Sequence, residues 1–273
     1  MRHSLRELGD ACGSADGAGF FERLHRSGWL YHVANIIRAS SLMALQLNGG
    51  APMLVHCSDG WDRTSQLAAT AQLLLVPRYR TRDGFQALVE KDWCAFGHMC
   101  AERSGFGPPH EFSPVLLQWL DIVWQLMRQF PHAFEFNEAY LLFLVDALYS
   151  NWFGTFLGNS ELERRRMHVS EKTTPAWECI RLNWERFANP AYRRPDPMPL
   201  TELLKPSADV RSLRLWESLY TRELNVVLNI KANQQGMSRL GSAKVPSGAL
   251  PVAQGKQVCC WVLPSAAARR CRC

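Results

Sequence analysis

The chain has 273 residues, 47% of them apolar and 21% charged, enough for one large domain or two small ones around a real core. That balance excludes disorder as the main state, and no apolar run approaches the roughly 18 residues that a membrane-spanning helix needs. Net charge is +6 but uneven: from Lys231 onward there are seven Lys or Arg and no acid, so the preceding 230 residues carry 24 basic and 25 acidic groups. A near-neutral body lacks the electrostatic footprint of a nucleic-acid binder, and no nucleic-acid partner is expected. The opening Met-Arg-His-Ser-Leu-Arg-Glu has no apolar h-region, so no secretory signal is expected. Cys12, Cys57, Cys94, Cys100 and Cys179 are scattered through the body, and Cys259, Cys260, Cys271 and Cys273 lie at the end. Without a Cys-x-x-Cys pair they predict no zinc site, and they read as the reduced thiols of a cytoplasmic protein. No metal or cofactor is expected.

In chain order, the small, Gly-rich stretch 9–19 reads as a loop. Over 29–47, Leu30, Val33, Ile36, Ile37, Leu42 and Leu45 recur at helical spacing, and Asn48-Gly49-Gly50-Ala51-Pro52 ends that helix. The apolar run Met53-Leu54-Val55-His56 reads as a short buried strand. A polar, Gly-containing stretch follows, and a second helix begins at Arg63 and runs to about Val76, stopped by Pro77. Thr81 is placed to cap a helix reaching about Trp93. Ser113-Pro114 predicts an N-cap followed by Pro at the first helical position, opening a helix that carries Leu116, Leu117, Leu120, Val123, Trp124 and Met127. The stretch 137–149 is apolar on nearly every side and predicts a deeply buried helix. Five prolines in 190–206 read as an irregular linker. A last helix is predicted over 210–230, with a Leu213, Trp216, Leu219, Tyr220 stripe. Residues 230–273 read as a basic, Cys-containing disordered tail. There is no internal repeat.

Chemistry concentrates in His56-Cys57-Ser58-Asp59-Gly60-Trp61-Asp62-Arg63-Thr64, where five residues separate Cys57 from Arg63 at a strand-to-helix junction. Five residues suffice to wrap a loop with successive backbone N–H groups pointing inward. Capped by a helix N-terminus, such a nest binds a tetrahedral dianion. Gly60 relieves the backbone at the tightest point, and Arg63 offers a planar fork for two phosphate oxygens. The same positive field lowers the pKa of Cys57. The expected chemistry is in-line attack by the Cys57 thiolate on phosphorus, with the nest and Arg63 stabilising the growing charge. Asp62 is the first candidate to protonate the leaving alcohol and Asp59 the second. Thr64 is placed to hydrogen-bond the sulfur. Blander roles compete: His56 as a satisfied strand-end histidine or a tuner of the thiolate, Asp59 as a helix cap, Trp61 as packing or as a substrate contact.

That string resembles the active-site loop of the myotubularin phosphatases. The resemblance continues in order through Tyr79-Arg80-Thr81, Gly84-Phe85, Leu88-Val89-Glu90-Lys91-Asp92-Trp93 and Phe96-Gly97-His98. It runs on through Ser113-Pro114-Val115, Gln118-Trp119, Gln129-Phe130-Pro131, Phe134-Glu135-Phe136-Asn137-Glu138, Phe153-Gly154-Thr155-Phe156-Leu157 and Asn189-Pro190. It spans about 1–229, read as a partial phosphatase domain. The resemblance implies an α/β cysteine-phosphatase fold that is helix-rich, with the N-terminal part of its central sheet absent from this chain. It implies removal of the 3-phosphate from phosphatidylinositol 3-phosphate and phosphatidylinositol 3,5-bisphosphate through a phosphocysteine. It makes Cys57 the nucleophile, Ser58, Asp59, Gly60, Trp61 and Asp62 backbone contacts to phosphate, and Arg63 the clamp. Asp62 becomes the general acid, and Arg103 a contact to the substrate headgroup. It implies a phosphoinositide headgroup on a membrane surface as partner, peripheral endosomal localisation, and homo- or hetero-oligomers with other myotubularins.

The chain departs from the pattern after Gly97-His98, where Met99 and Cys100 replace a cation and an aromatic, weakening the case for the bisphosphate. A membrane-binding module and about half the phosphatase domain precede the point matching Met1 in the family, so helices near Met1 are expected to expose apolar faces. The final Cys271-Arg272-Cys273 resembles a double-prenylation ending. Two readings from other classes compete: a weak or inactive fragment acting as a binding or adaptor module, and a protein-tyrosine phosphatase.

Overall fold

Helix α7 (Val115–Gln129) runs through the centre of the fold and buries apolar residues on nearly every side, Trp119, Ile122, Val123 and Leu126 among them. The coordinates are a computed structural model describing residues 1–13 and 19–221. Ahead of α7 come α1 (Arg2–Cys12), α2 (Phe20–Ser27), α3 (Trp29–Asn48), α4 (Arg63–Leu75), α5 (Arg82–Val89) and α6 (Cys100–Arg103). After it come α8 (Glu138–Ser150), α9 (Glu161–Arg166), α10 (Val169–Lys172), α11 (Ala176–Leu182), α12 (Trp184–Phe187) and α13 (Glu217–Tyr220). Helices α3 and α4 pack along each other, and both lean on α7.

The α/β architecture is corrected among the described residues, which form no strand and only an isolated antiparallel bridge between Phe136 and Ala188. The predicted strand at 53–56 is likewise not formed. A strand exists by its ladder, and among the described residues this backbone has no ladder partner. Leu54 stands 89% exposed. The α3 stripe divides: Val33 and Ile37 are buried, whereas Leu42 and Leu45, with Tyr31, face outward.

Other boundaries shift for local reasons. Residues 9–12 are helical rather than loop, because α1 buries Leu5, Leu8 and Ala11, and that burial outweighs the poor helix propensity of Gly9. Thr81 caps α5 as predicted, its hydroxyl accepting from Gly84 N–H at 3.1 Å. The helix then widens into a π-helical turn over Glu90–Ala95 that turns Trp93 and Cys94 inward. Ser113 is not the N-cap of α7. Pro114 takes that place at φ −79°, ψ 50°, and no side chain caps the helix. Asn137 caps α8, accepting from Tyr140 N–H at 3.3 Å. The proline-rich stretch is irregular as predicted but is no free linker. Its Glu202 and Leu204 N–H groups donate to the carbonyls of Leu75 and Leu74 at 2.8 Å, closing the open C-terminal end of α4. Buried Arg80 pairs with Glu202 from below. In place of one long helix over 210–230, a 3₁₀ turn at Val210–Ser212 is followed by α13. Of the predicted stripe, Leu213, Trp216, Leu219 and Tyr220 are all buried. Residues 222–230 of that helix, the boundary at 229 and the tail 230–273 lie outside the described residues.

Two polar ties lock this core. Asp121 on α7 accepts from Trp29 Nε1 at 2.7 Å, Tyr220 Oη at 2.9 Å and Gln125 Nε2 at 3.0 Å, joining α3, α7 and α13. Gln66 on α4 donates to Val115 O at 2.9 Å and Gln118 Oε1 at 3.1 Å, fixing α4 against α7. An aromatic chain runs from Phe85 through Trp119 to Trp93, with ring centroids 5.4 Å and 5.3 Å apart. It ends edge-on at His98, 4.9 Å from Trp93.

Candidate active site around Cys57

The loop 57–62 leads into α4, whose first residue is Arg63. Its backbone turns back at Gly60, at φ +99°, where an L side chain is disfavoured. A Cβ added there would meet nothing within 4 Å, so the demand for glycine is conformational, not steric. The turn carries Gly60 N–H onto Cys57 Sγ at 3.1 Å. The N–H groups of Asp59 and Thr64 also serve the sulfur. The buried Thr64 hydroxyl faces it too, without a closed hydrogen bond to any other group among the described residues. Partial burial works against the Cys57 thiolate, but hydrogen bonding from Thr64, Gly60 and Asp59 outweighs it and brings the thiol down to about 7. The Arg63 charge is not among the leading causes, so the lowering comes from hydrogen bonds where the sequence argument gave Arg63 a share.

Arg63 is exposed at the mouth of the loop and donates from Nη2 to Ser58 Oγ at 2.9 Å. Ser58 Oγ in turn reaches Asp59 Oδ2 at 3.1 Å. Asp59 does not cap α4. The N-cap is Asp62, and its side chain is turned away from the helix N–H groups. His56 is exposed, which removes the satisfied strand-end role. Trp61 is half-buried, with its indole N–H buried and unpartnered among the described residues.

The Asp62 carboxylate is held from both sides. Oδ1 meets His98 Nδ1 at 2.9 Å and Oδ2 accepts from Arg103 Nε at 3.0 Å. Burial pushes its pKa up, yet the hydrogen bonds from His98 and Arg103, with the guanidinium charge beside it, prevail and leave the carboxyl below its ordinary range. Arg103, expected as a headgroup contact, braces the loop through Asp62. Its Nη1 donates to Glu111 Oε2 at 2.6 Å and Glu111 O at 3.0 Å. Met99 is half-buried, and Cys100 is buried in contact with Cys94. All eight expected site residues therefore lie in one constellation, seven over 57–63 and Arg103 on the far side of Asp62. His98 and Glu111, which hold Asp62 and Arg103, were not among the expected site residues. A lone histidine beside a glycine reads as core, and only the fold brings it to Asp62 from 36 positions away.

A thiol served by converging N–H groups at the head of a helix, with an arginine six positions on, is an arrangement suited to holding an oxyanion against the sulfur. The chain belongs to the myotubularin-like phosphatase domain family, which matches residues 1–165. It is 41% identical over 231 residues to the phosphatidylinositol-3,5-bisphosphate 3-phosphatase MTMR6 of Caenorhabditis elegans, covering 81% of this chain and 33% of that protein. It is 42% identical over 228 residues to the human phosphatidylinositol-3-phosphate phosphatase MTMR7, covering 81% and 34%. Myotubularin of Rattus norvegicus is 40% identical over 228 residues, covering 81% and 37%. The chain thus spans about a third of the length of the curated relatives it matches.

Proposed function

We propose that this chain carries the catalytic loop of a phosphoinositide 3-phosphatase, acting on phosphatidylinositol 3-phosphate through a phosphocysteine. The observation behind the reading is the convergence of Gly60, Asp59 and Thr64 on a Cys57 sulfur whose pKa lies near neutrality. In this reading Cys57 Sγ attacks phosphorus and the bond to the inositol 3-oxygen breaks. The N–H groups of 58–63 and the Arg63 guanidinium hold the equatorial oxygens. Asp62 gives its proton to the departing oxygen. Water then attacks the thiophosphate, its proton returns to Asp62, and the thiolate is restored.

An anionic Asp62 is no obstacle to this cycle. The arriving phosphate dianion places like charge beside the carboxylate, which raises its pKa toward the protonated state the step needs. The substrate class follows from the relatives' names, and a peripheral, endosomal place of action follows from that substrate. Among the described residues no helix is long and apolar enough to cross a membrane. Assembly with other myotubularins, a partial domain over 1–229 and a separate tail beyond it belong to the same proposal.

The test is phosphate release from short-chain phosphatidylinositol 3-phosphate by the purified chain, with Cys57→Ser as control and a phosphotyrosine peptide alongside. Release from the lipid that vanishes in the variant supports the reading. Preferential turnover of the peptide would sink it, and no release from a folded sample would remove the enzymatic claim for this chain.

A further inference from the structure

The Asp62 carboxylate is held by one residue that the loop itself does not contain and the sequence does not single out. His98 is 1% exposed and lies between the end of the π-helical turn and α6. Its Nδ1 faces two acceptors, Asp62 Oδ1 at 2.9 Å and Trp61 O at 3.1 Å. Neither the carboxylate oxygen nor the carbonyl oxygen can donate, so Nδ1 must carry the hydrogen. Nε2 is buried and finds no partner among the described residues, and one ring face is closed by the Trp93 edge. The backbone fixes the ring as firmly, with His98 N–H donating to Trp93 O at 2.9 Å and Cys100 N–H to His98 O at 2.8 Å. The histidine is therefore a rigid, buried donor pointed at one oxygen of the carboxylate, and the same nitrogen reaches the carbonyl of the residue before it.

We propose that His98 is the positioning residue for Asp62: its Nδ1–H holds Oδ1 and so fixes the orientation from which the carboxyl group gives its proton to the leaving group. This rests on the reading of Asp62 as the general acid. The two oxygens are held in different ways. Oδ1 is tied to a buried ring with no freedom to swing. Oδ2 is tied to Arg103, a long side chain on the flank of the site, braced on Glu111. Both oxygens accept an N–H, so the acid's O–H must use a lone pair that neither N–H occupies, and the fixed ring sets the carboxyl plane in which that O–H points. Among the described residues the His98 ring hydrogen-bonds to Asp62 and the Trp61 carbonyl and not to the Cys57 sulfur, so it acts through those two groups.

The experiment compares two substrates that differ in their need for an acid. In short-chain phosphatidylinositol 3-phosphate the inositol 3-oxygen departs as an alkoxide and needs a proton, whereas in 4-nitrophenyl phosphate the departing 4-nitrophenolate is stabilised and does not. A general acid contributes about 10²–10⁴-fold. His98→Leu is expected to lower kcat/KM on the lipid, which reports the steps through phosphocysteine formation, at least tenfold and to change kcat/KM on the aryl phosphate less than about twofold. His98→Asn, whose amide N–H stands one bond from Cγ as Nδ1 does, is expected to restore most of the lipid rate. Adding His98→Leu to Asp62→Asn is expected to cost nothing further. Equal losses on both substrates, or multiplicative losses in the double variant, would make His98 a merely structural residue and overturn the proposal. If Asp62→Asn leaves lipid turnover intact, the acid reading itself fails, and the proposal goes down with it by a separate route. Should His98→Leu fail to fold, or the chain turn over neither substrate, the imidazole ¹⁵N shifts of the unaltered chain decide. Protonated Nδ1 with bare Nε2 supports the proposal; the Nε2–H tautomer refutes it.

Discussion

Replacing Gly60 by alanine tests whether the loop's backbone, and not a nearby charge, sets the reactivity of Cys57. Gly60 sits at φ +99° in open space, so the added methyl collides with nothing and its whole effect is conformational. Holding alanine there costs on the order of 1–3 kcal/mol, and a solvent-facing loop releases that strain by rotating the peptide. Rotation carries the Gly60 N–H off Cys57 Sγ, ending the 3.1 Å hydrogen bond. A hydrogen bond to an ionised group is worth about 1.5–3 kcal/mol, and the low end applies to an open loop. At about 1.4 kcal/mol per pKa unit, that loss lifts Cys57 by about one unit, from about 7 in the native loop. The thiolate share at pH 7 then falls from about half to about a tenth, so alkylation slows about fivefold. The assay is the rate of iodoacetamide alkylation against pH, read on the Cys57 peptide by mass spectrometry. An inflection that stays near 7 in Gly60→Ala would refute the reasoning, and one in the ordinary thiol range for the native chain would refute the lowered pKa itself.

Gly84→Ala should be far more costly to the fold, because a Cβ there would lie 1.7 Å from Arg78 O, a backbone atom that cannot step aside. A loss of about 3 kcal/mol or more is expected in urea unfolding, and a loss below 1 kcal/mol would show that the turn before α5 is softer than drawn. Asp121 gives a pH prediction. Burial lifts its pKa against the pull of Trp29, Gln125 and Tyr220, so the native state binds the proton more tightly than the unfolded chain. The stability due to this group is complete below the ordinary carboxylate pKa and is lost as pH rises through the folded value. The stability difference between the native chain and Asp121→Asn should therefore shrink as pH rises from the acid side, and a difference that grows would contradict the assignment. On the substrate side, Met99 supplies no charge for a second phosphate. Turnover of the 3-monophosphate should exceed that of the 3,5-bisphosphate, and Met99→Arg should narrow the gap in a phosphate-release assay; a bisphosphate preference in the native chain would rule this out.

The elements that were legible are those whose signal is local. Periodicity placed α3, α4 and α8 within a residue or two, because an apolar face and a terminal breaker are both written in consecutive residues. The turn at Gly60 and the helix start at Arg63 were legible because a glycine in a polar stretch and the helical pattern after it are written in consecutive residues. The strand at 53–56 was not, because an apolar run becomes a strand only beside a partner, and the described residues supply none. The stretch 190–206 misled for the converse reason: proline density predicts irregular backbone correctly but says nothing about whether that backbone is docked, and here it closes the end of α4. Arg103 was placed at the site through the family resemblance, yet its bond to Asp62 was not legible. His98 was quoted in the resemblance only as part of a motif. Its role depends on a contact across 36 positions of chain, set by the π-helical turn that swings Trp93 and His98 inward.

The two halves of the proposed chemistry are supported in physically different ways. The nucleophile depends on local backbone: Gly60, Asp59 and Thr64 all lie within seven residues of Cys57, and the loop is anchored by the first turn of α4, where Gln66 is tied to α7. The acid depends on long-range packing, for His98 is held by Trp93, Trp93 by Trp119, and Trp119 by the centre of α7. Local hydrogen bonds survive loosening of the core better than a contact relayed through three aromatic rings, because cooperative opening begins where long-range contacts are lost. Thiolate formation at Cys57 therefore requires little more than an intact loop and α4, whereas an oriented Asp62 requires the whole helical core. A sample in which Cys57 is reactive but lipid turnover is weak is thus the expected signature of a loosened core, and not of a damaged loop.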